Sequence, residues 1–415
     1  MKKMNAYTVH LTQATLGSLT GNIVWTGMLV YQVLVLKLTP LQLVIVGTTM
    51  EATIFLFEIP TGIVADVYSR RLSVIIGFFL IGIAYIAEGS IQTFEAILVG
   101  NVIWGIGYTF TSGAYDAWMV DELGQERAGQ AFVRSAQVGR IAGLVGIALS
   151  VGLGSIDLRL PIITGGGVML FTALFLWLFM PENGFTPTPS QERNNWQKMG
   201  DTFREGVRLV RSRPTLISIL GVGIFFGLFS EGWDRLWQAH LLHTFDLASV
   251  TVLTPLIWIA LLGVVESLLS VGAMEIMRRR VDTNSPPSLT RAVFWLTAMM
   301  VTGITLYGLA PHIGVALAMF FVFAVARSLI GPLFATWSNQ HIDSQVRATV
   351  LSLQSQTDAI GQIVGGPPIG GIGQLSLRAA FVASGLILSP ALILLHRVRR
   401  AESDQVDAVV ELAEV

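Results

Sequence analysis

The chain has no cysteine, four lysines in 415 residues, and charged side chains at only 13% of its positions. Without cysteine there is no disulfide, no thiolate nucleophile and no cysteine-based metal site. None of the lysines follows a glycine, so the G-x-x-x-x-G-K-[ST] phosphate loop is absent from this sequence and ATPase-driven transport is not expected. The pair Gly221-Val222-Gly223 sits inside an apolar run without strand context and reads as helix packing. No cofactor is implied. Soluble domains carry about 25% charged residues. A chain with half that share, 53% hydrophobic residues and a mean hydropathy of +0.65 cannot coat a soluble globule of this size. Net charge is −1, so there is no bulk attraction to nucleic acid.

What the chain has is apolar runs. They fall at 11–36, 41–64, 72–90, 95–118, 132–154, 160–180, 214–237, 250–277, 290–310, 313–337, 348–372 and 376–396. Each is long enough to cross about 30 Å of hydrocarbon at about 1.5 Å per residue. The segment after Met1-Lys2-Lys3 is too long for a signal-peptide core and reads as the first span. An even number of spans puts both ends on one side. With the N-terminus inside, twenty of the 26 Lys and Arg lie in inner segments; only Lys37, Arg159, Arg235 and Arg378 lie in outer ones. That bias places both termini in the cytoplasm of a cell (plasma or inner) membrane. His240 and His243, near the outer end of span 7, read as solvated loop residues rather than metal ligands.

The longest polar stretch, 181–213, lies midway. It opens with proline-rich linker composition at Thr186-Pro187-Thr188-Pro189. From Asn194 it takes a helical pattern with Trp196, Met199, Phe203, Val207 and Val210 on one face. This is either a helix lying on the inner membrane surface or one packed on protein. A shift of 219 positions aligns Trp118 with Trp337, Gln137 with Gln356, Gly146 with Gly365 and Leu158-Arg159 with Leu377-Arg378. The expected organisation is therefore a six-helix bundle over 1–180, a linker over 181–213, a second bundle over 214–400 and a cytoplasmic tail over 401–415. The fold class is an all-α membrane protein of about twelve transmembrane helices in two pseudo-symmetric bundles.

Between spans 2 and 3 stands Gly62-Ile63-Val64-Ala65-Asp66-Val67-Tyr68-Ser69-Arg70-Arg71. A glycine, an acid four residues on, then paired basic residues resembles the loop between helices 2 and 3 of the major facilitator superfamily of secondary transporters. In that superfamily the acid docks against helix 11 and the basic residues pair with an acid at the inner end of helix 4. The resemblance makes Gly62, Asp66, Arg70 and Arg71 a conformational latch, with Asp116 and Asp121 as candidate partners. Val67 stands where a basic residue is usual. Two further stretches, Glu58-x-Pro60-Thr61-Gly62 and Ser112-Gly113-Ala114-x-Asp116-Ala117-Trp118, resemble the drug and macrolide exporter branch. Asn101 stands where proton-coupled exporters carry arginine, and an exporter-like Gly366-Pro367-Pro368-Ile369-Gly370-Gly371 falls on helix 11 instead of helix 5.

Ionisable residues inside spans are costly in lipid and are functional candidates. Glu58 and Asp358 are placed to share a proton, on helices 2 and 11, which the resemblance makes neighbours. Arg140 and Glu266, both about 12–16 Å from the inner ends, are placed to form a buried pair, and Arg327 lies within span 10. For each pair a purely structural bridge is an equal alternative. Asn22, Glu51 and Asn101 are candidate cavity-lining residues.

The function implied is alternating-access secondary transport, not enzymatic catalysis. The resemblance favours proton-driven antiport: multidrug efflux of amphipathic small molecules. Alternatives are an importer of a nutrient or organic anion, and a transport-dead membrane sensor. The expected partners are a small-molecule substrate, protons and the lipid bilayer, with the protein acting as a monomer.

Overall fold

The computed structural model of the chain describes residues 3–187, 208, 214–245, 253–342 and 347–413. The amphipathic segment expected from Asn194 onwards falls almost wholly outside these residues. Among the described residues, the regular elements are fourteen helices. They are α1 (Ala6–Leu34), α2 (Pro40–Val67), α3 (Arg70–Ser90), α4 (Phe94–Thr111), α5 (Ala114–Leu123), α6 (Gln125–Gly154) and α7 (Leu160–Phe179). There follow α8 (Pro214–Thr244), α9 (Pro255–Arg280), α10 (Pro286–Leu309), α11 (Ile313–His341), α12 (Arg347–Leu375), α13 (Leu377–Leu388) and α14 (Pro390–Ala413). Nine of the described helices are long and apolar enough to cross a membrane, taking α13 and the first part of α14 as one. α1, α4 and α12 reach the length with more polar side chains.

The starts are set by side-chain caps that satisfy otherwise orphaned amides. Asn5 accepts from the Tyr7 amide, Ser69 from Leu72, Thr93 from Ala96 and Ser376 from Ala379. At α2, Thr39 and Gln42 bond reciprocally and Pro40 occupies the first turn.

Several boundaries differ from the sequence pattern. The apolar run 95–118 is not one helix: α4 stops at Thr111, and Gly113, at φ +69°, turns the chain into α5. That left-handed conformation costs a residue with a Cβ about 1 kcal/mol or more. Gly124, at φ +77°, makes the next break, so α6 starts at Gln125 rather than near 132. α8 runs seven residues past 237, to Thr244. His240 and His243 are therefore helical, not loop residues, and His240 is completely buried. The last predicted span is divided at Ser389, where Pro390 opens α14 without an amide to donate.

The chain divides into two compact units, Met1–Asn194 with Ala248–Ala260, and Asn195–Leu247 with Leu261–Val415. Within the first, α1 packs on α6 and α7, α3 on α4 and α7, and α2 on α4. Within the second, α8 packs on α12 and α13, and α10 on α11 and α13. Most of these pairings correspond helix for helix, as the 219-residue repeat requires. Its landmarks match too. Trp118 and Trp337 are both buried, and each donates its indole N–H, to the Pro181 carbonyl and the Thr290 hydroxyl, both at 2.7 Å. Gly146 and Gly365 each bring their helix against backbone, that of Leu19 and that of Leu228, where any Cβ would collide.

Candidate functional site

The hairpin between α2 and α3 is tied to one end of the first unit by charge. Arg70 bonds the Asp121 carboxylate at the end of α5 and lies 3.6 Å from Asp66, one helical turn back. Its guanidinium also covers the Phe185 ring at 5.8 Å. Asp121, rather than Asp116, is the partner Arg70 bonds; Asp116 lies exposed in the first turn of α5. Ser69 and the Arg71 amide both bond Glu182, at 2.8 Å each. The Arg71 guanidinium and the Lys3 ammonium reach the last carbonyls of α7, where cations suit the helix dipole. Asp66 remains 59% exposed, so one face of its carboxylate is open. Gly62 lies on α2, one turn before Asp66.

The second unit contains a charged cluster that the sequence only partly suggested. Arg327 on α11 donates to Asp234 on α8 at 2.7 Å and lies over the Phe229 and Phe323 rings. One turn before Asp234, Glu231 accepts from Arg235 at 3.4 Å, with both side chains at least 93% buried. Arg235, an outer charge by the sequence pattern, is carried by α8 with its side chain buried beside Glu231. Asp358 on α12 accepts from Gln362 at 2.9 Å and lies within Coulombic range of Arg327 and Asp234. Glu266 on α9 accepts from Ser270 at 2.8 Å, and Ser270 in turn accepts from Ser328.

The other candidates lie as follows. Glu58 on α2 and Arg140 on α6 are exposed and belong to the first unit, whereas Asp358 and Glu266 belong to the second. Asn22 donates to the Ser18 carbonyl, with its amide against Gly143 of α6. Glu51 is half-buried on α2. Asn101 faces helix α3, not open space: it is 5% exposed and donates to Glu88 at 3.1 Å. Glu88, itself 2% exposed, lies inside the apolar run 72–90, where no local pattern marks it. In the loop between α6 and α7, bidentate hydrogen bonds from Arg159 hold the Asp157 carboxyl down at about 2. Among the described residues no three metal-ligating side chains cluster.

Comparison with known proteins places this geometry. A family model described as Major Facilitator Superfamily matches residues 11–365. The uncharacterized MFS-type transporter YxaM of Bacillus subtilis (strain 168) is 22% identical over 378 residues, covering 89% of this chain and 90% of the relative. Among solved structures, a mutant of the nucleoside transporter NupG superposes with a TM-score of 0.75 at 15% identity, covering 96% of this chain and all of that one. A POT family transporter in complex with 5-aminolevulinic acid gives 0.72 at 14% identity, covering 96% of each chain. At such identities the likeness is one of fold.

Proposed function

The chain belongs to the major facilitator superfamily, a secondary transporter rather than an enzyme, and on that premise we propose that it exports amphipathic small molecules in exchange for protons. The observation that carries the proton is the composition of the cluster on α8, α11 and α12. Glu231, Asp234 and Asp358 face two arginines, Arg235 and Arg327. Fully ionised, this group holds one negative charge more than it can pair. Removing charge from water into a helix bundle is expensive, and a carboxyl close to another carboxylate holds its proton more firmly. Asp358 is the acid of the three with no direct arginine bond among the described residues, so it is the one assigned to take the proton. Uptake by a group whose surroundings differ between two conformations biases the equilibrium between them. In this reading Glu58, on α2 of the first unit, is a second proton-carrying acid beside Asp358.

Asp66, Arg70 and Asp121 form the latch. Arg70 is fixed by Asp121, which leaves the open face of Asp66 to accept a hydrogen bond from another part of the protein. Such a charge-assisted bond contributes about 1.5–3 kcal/mol, enough to move a two-state equilibrium about tenfold or more. The protein is taken to work as a monomer in the cell membrane with both termini cytoplasmic.

The outward direction rests on the exporter-like stretches around Glu58 and Gly113. Uptake of a nutrient or organic anion is the second reading; the structural relatives include a nucleoside transporter and a peptide transporter. Accumulation of a fluorescent amphipathic dye in cells with and without the protein separates them. Export lowers it and uptake raises it. No change in either dye or nucleoside accumulation rejects both.

A further inference from the structure

The second unit carries a histidine and an acid, His341 and Glu402, that the proton chemistry proposed above does not use. α14 packs on α8 and α10. Ala391, Leu395 and Val398 are buried along it at helical spacing, and Glu402 falls one turn beyond Val398 on the same face. A buried apolar stripe thus ends on an acid. That acid joins α14 to two other helices. Glu402 Oε1 accepts from the Thr290 hydroxyl of α10 at 2.9 Å and faces Nε2 of His341, the last residue of α11, at 3.0 Å. Thr290 accepts from the Trp337 indole at 2.7 Å, and His341 Nδ1 faces the Trp337 carbonyl at 2.8 Å. The circuit is closed and mostly dry, with the His341 and Glu402 side chains 15% and 12% exposed.

This circuit fixes its own proton count. A carbonyl only accepts, so His341 Nδ1 carries a hydrogen. The contact of Nε2 with Glu402 Oε1 needs another, on either the imidazole or the carboxyl. The pair is therefore complete only when it shares one proton. Glu402 Oε2 is buried without a hydrogen-bond partner among the described residues, and His341 is the cation within ion-pair distance of the carboxyl. Other charged groups on the packed elements point elsewhere. Arg399 of α14 lies over the Phe294 ring at 5.8 Å, and Arg291, His396, Arg397, Arg400 and Asp282 are exposed. α8 has no charged residue between Pro214 and Ser230.

The matching position in the first unit is built differently. The 219-residue shift carries His341 onto Glu122 and Glu402 onto Asn183. Glu122 accepts from the backbone amides of Asn183 and Gly184. Both units tie the chain that follows their last span to the same position. The first uses amides that keep their protons, and the second uses a proton that can leave.

We propose that His341 and Glu402 are a pH-operated clasp, which docks α14 on α10 and α11 while they share a proton and releases it when the proton is lost. Deprotonation sets a lone pair on Nε2 against Oε1 and leaves the carboxylate without a cation in a mostly buried site, which is unfavourable on both counts. Docking is thus present at lower pH and lost as pH rises. In the orientation proposed above this end faces the cytoplasm. The clasp does not depend on which substrate is carried.

The test uses the full-length protein in lipid nanodiscs. The chain has no cysteine, so Thr283→Cys and Ala408→Cys place two spin labels without ambiguity. Thr283 sits beside the clasp, its carbonyl accepting from Gln340 at 2.6 Å, and residue 408 lies further along α14. Double electron–electron resonance reads their separation at about pH 6 and about pH 9, on either side of histidine titration. With His341 and Glu402 intact, the short-distance population should fall about tenfold or more at the higher pH. Glu402→Gln offers Nε2 a permanent N–H and Thr290 a carbonyl, so α14 should stay docked at both pH values. His341→Phe keeps a ring beside Trp337 but removes the cation, so α14 should be released at both. A contact that only packs would move the two variants in the same direction. Melting at each pH checks the fold; if His341→Phe fails to fold, the unaltered pair and Glu402→Gln decide. A distance that does not change with pH, a Glu402→Gln that still switches, or a His341→Phe that stays docked at the higher pH overturns the clasp.

Discussion

Replacing Arg235 by methionine removes the cation of the most deeply buried ion pair found among the described residues. Its Nε lies 3.4 Å from Glu231 Oε2, one turn along α8, with the side chains 7% and 3% exposed. At that distance and an effective dielectric constant near 20, the attraction is about 5 kcal/mol, opposed by the desolvation of both groups. Methionine fills similar volume but leaves the Glu231 carboxylate buried, with Asp234 three residues on. Breaking a buried pair from one side costs about 3–5 kcal/mol. For a folding unit of about 150–250 residues each kcal/mol lowers the melting temperature by about 2–4 °C, so Arg235→Met should melt about 6–20 °C lower. Glu231→Gln leaves the Arg235 guanidinium buried without that carboxylate and should cost a similar amount. The double variant should recover about 1–3 kcal/mol relative to the sum of the singles. The assay is thermal unfolding of purified protein in detergent with a fold-sensitive fluorescent reporter. If Arg235→Met melts within about 2 °C of the wild type, the pair does not stabilise α8 and the charge assignment is wrong.

Asp66→Asn should leave melting unchanged, because the exposed one-turn pair with Arg70 contributes about 0.5 kcal/mol or less, yet reduce dye transport about tenfold or more. Normal transport by a normally expressed variant would reject the latch. Gly100→Ala should destabilise the first unit by about 1–3 kcal/mol as its methyl forces Glu88 away from Asn101; unaltered melting would show that α3 and α4 separate freely there.

Much of the helical order was legible in the sequence. The apolar runs place most helix starts within a few residues, and the 219-residue repeat anticipates matched packing around Trp118 and Trp337. The errors have physical causes. A span of 95–118 satisfies hydropathy, but Ser112 and Gly113 leave the helix because the backbone there turns left-handed, which hydropathy does not register. Arg235 stands two residues from the outer end of the run 214–237 and so reads as an outer charge, although α8 continues to Thr244 and carries it inside beside Glu231. Glu88 lies inside the apolar run 72–90 with no local pattern to mark it, and only the fold of α3 against α4 shows its carboxylate turned onto Asn101. The Arg327–Asp234 pair joins residues 93 positions apart, and no local pattern predicts which acid an intramembrane arginine finds. The hairpin motif singled out Asp66 and the arginines, while the choice of Asp121 over Asp116 required the end of α5 to be seen against Arg70.

Proton coupling through Asp358 is the central claim, and substrate-induced proton flux in proteoliposomes tests it most directly. The wild type should acidify or alkalinise the lumen when an exported amphipathic dye is added, in proportion to dye moved. Asp358→Asn should abolish that flux while binding dye, and Glu58→Gln should reduce it. Flux that persists in Asp358→Asn, in Glu58→Gln and in the double variant would show that neither acid carries the proton.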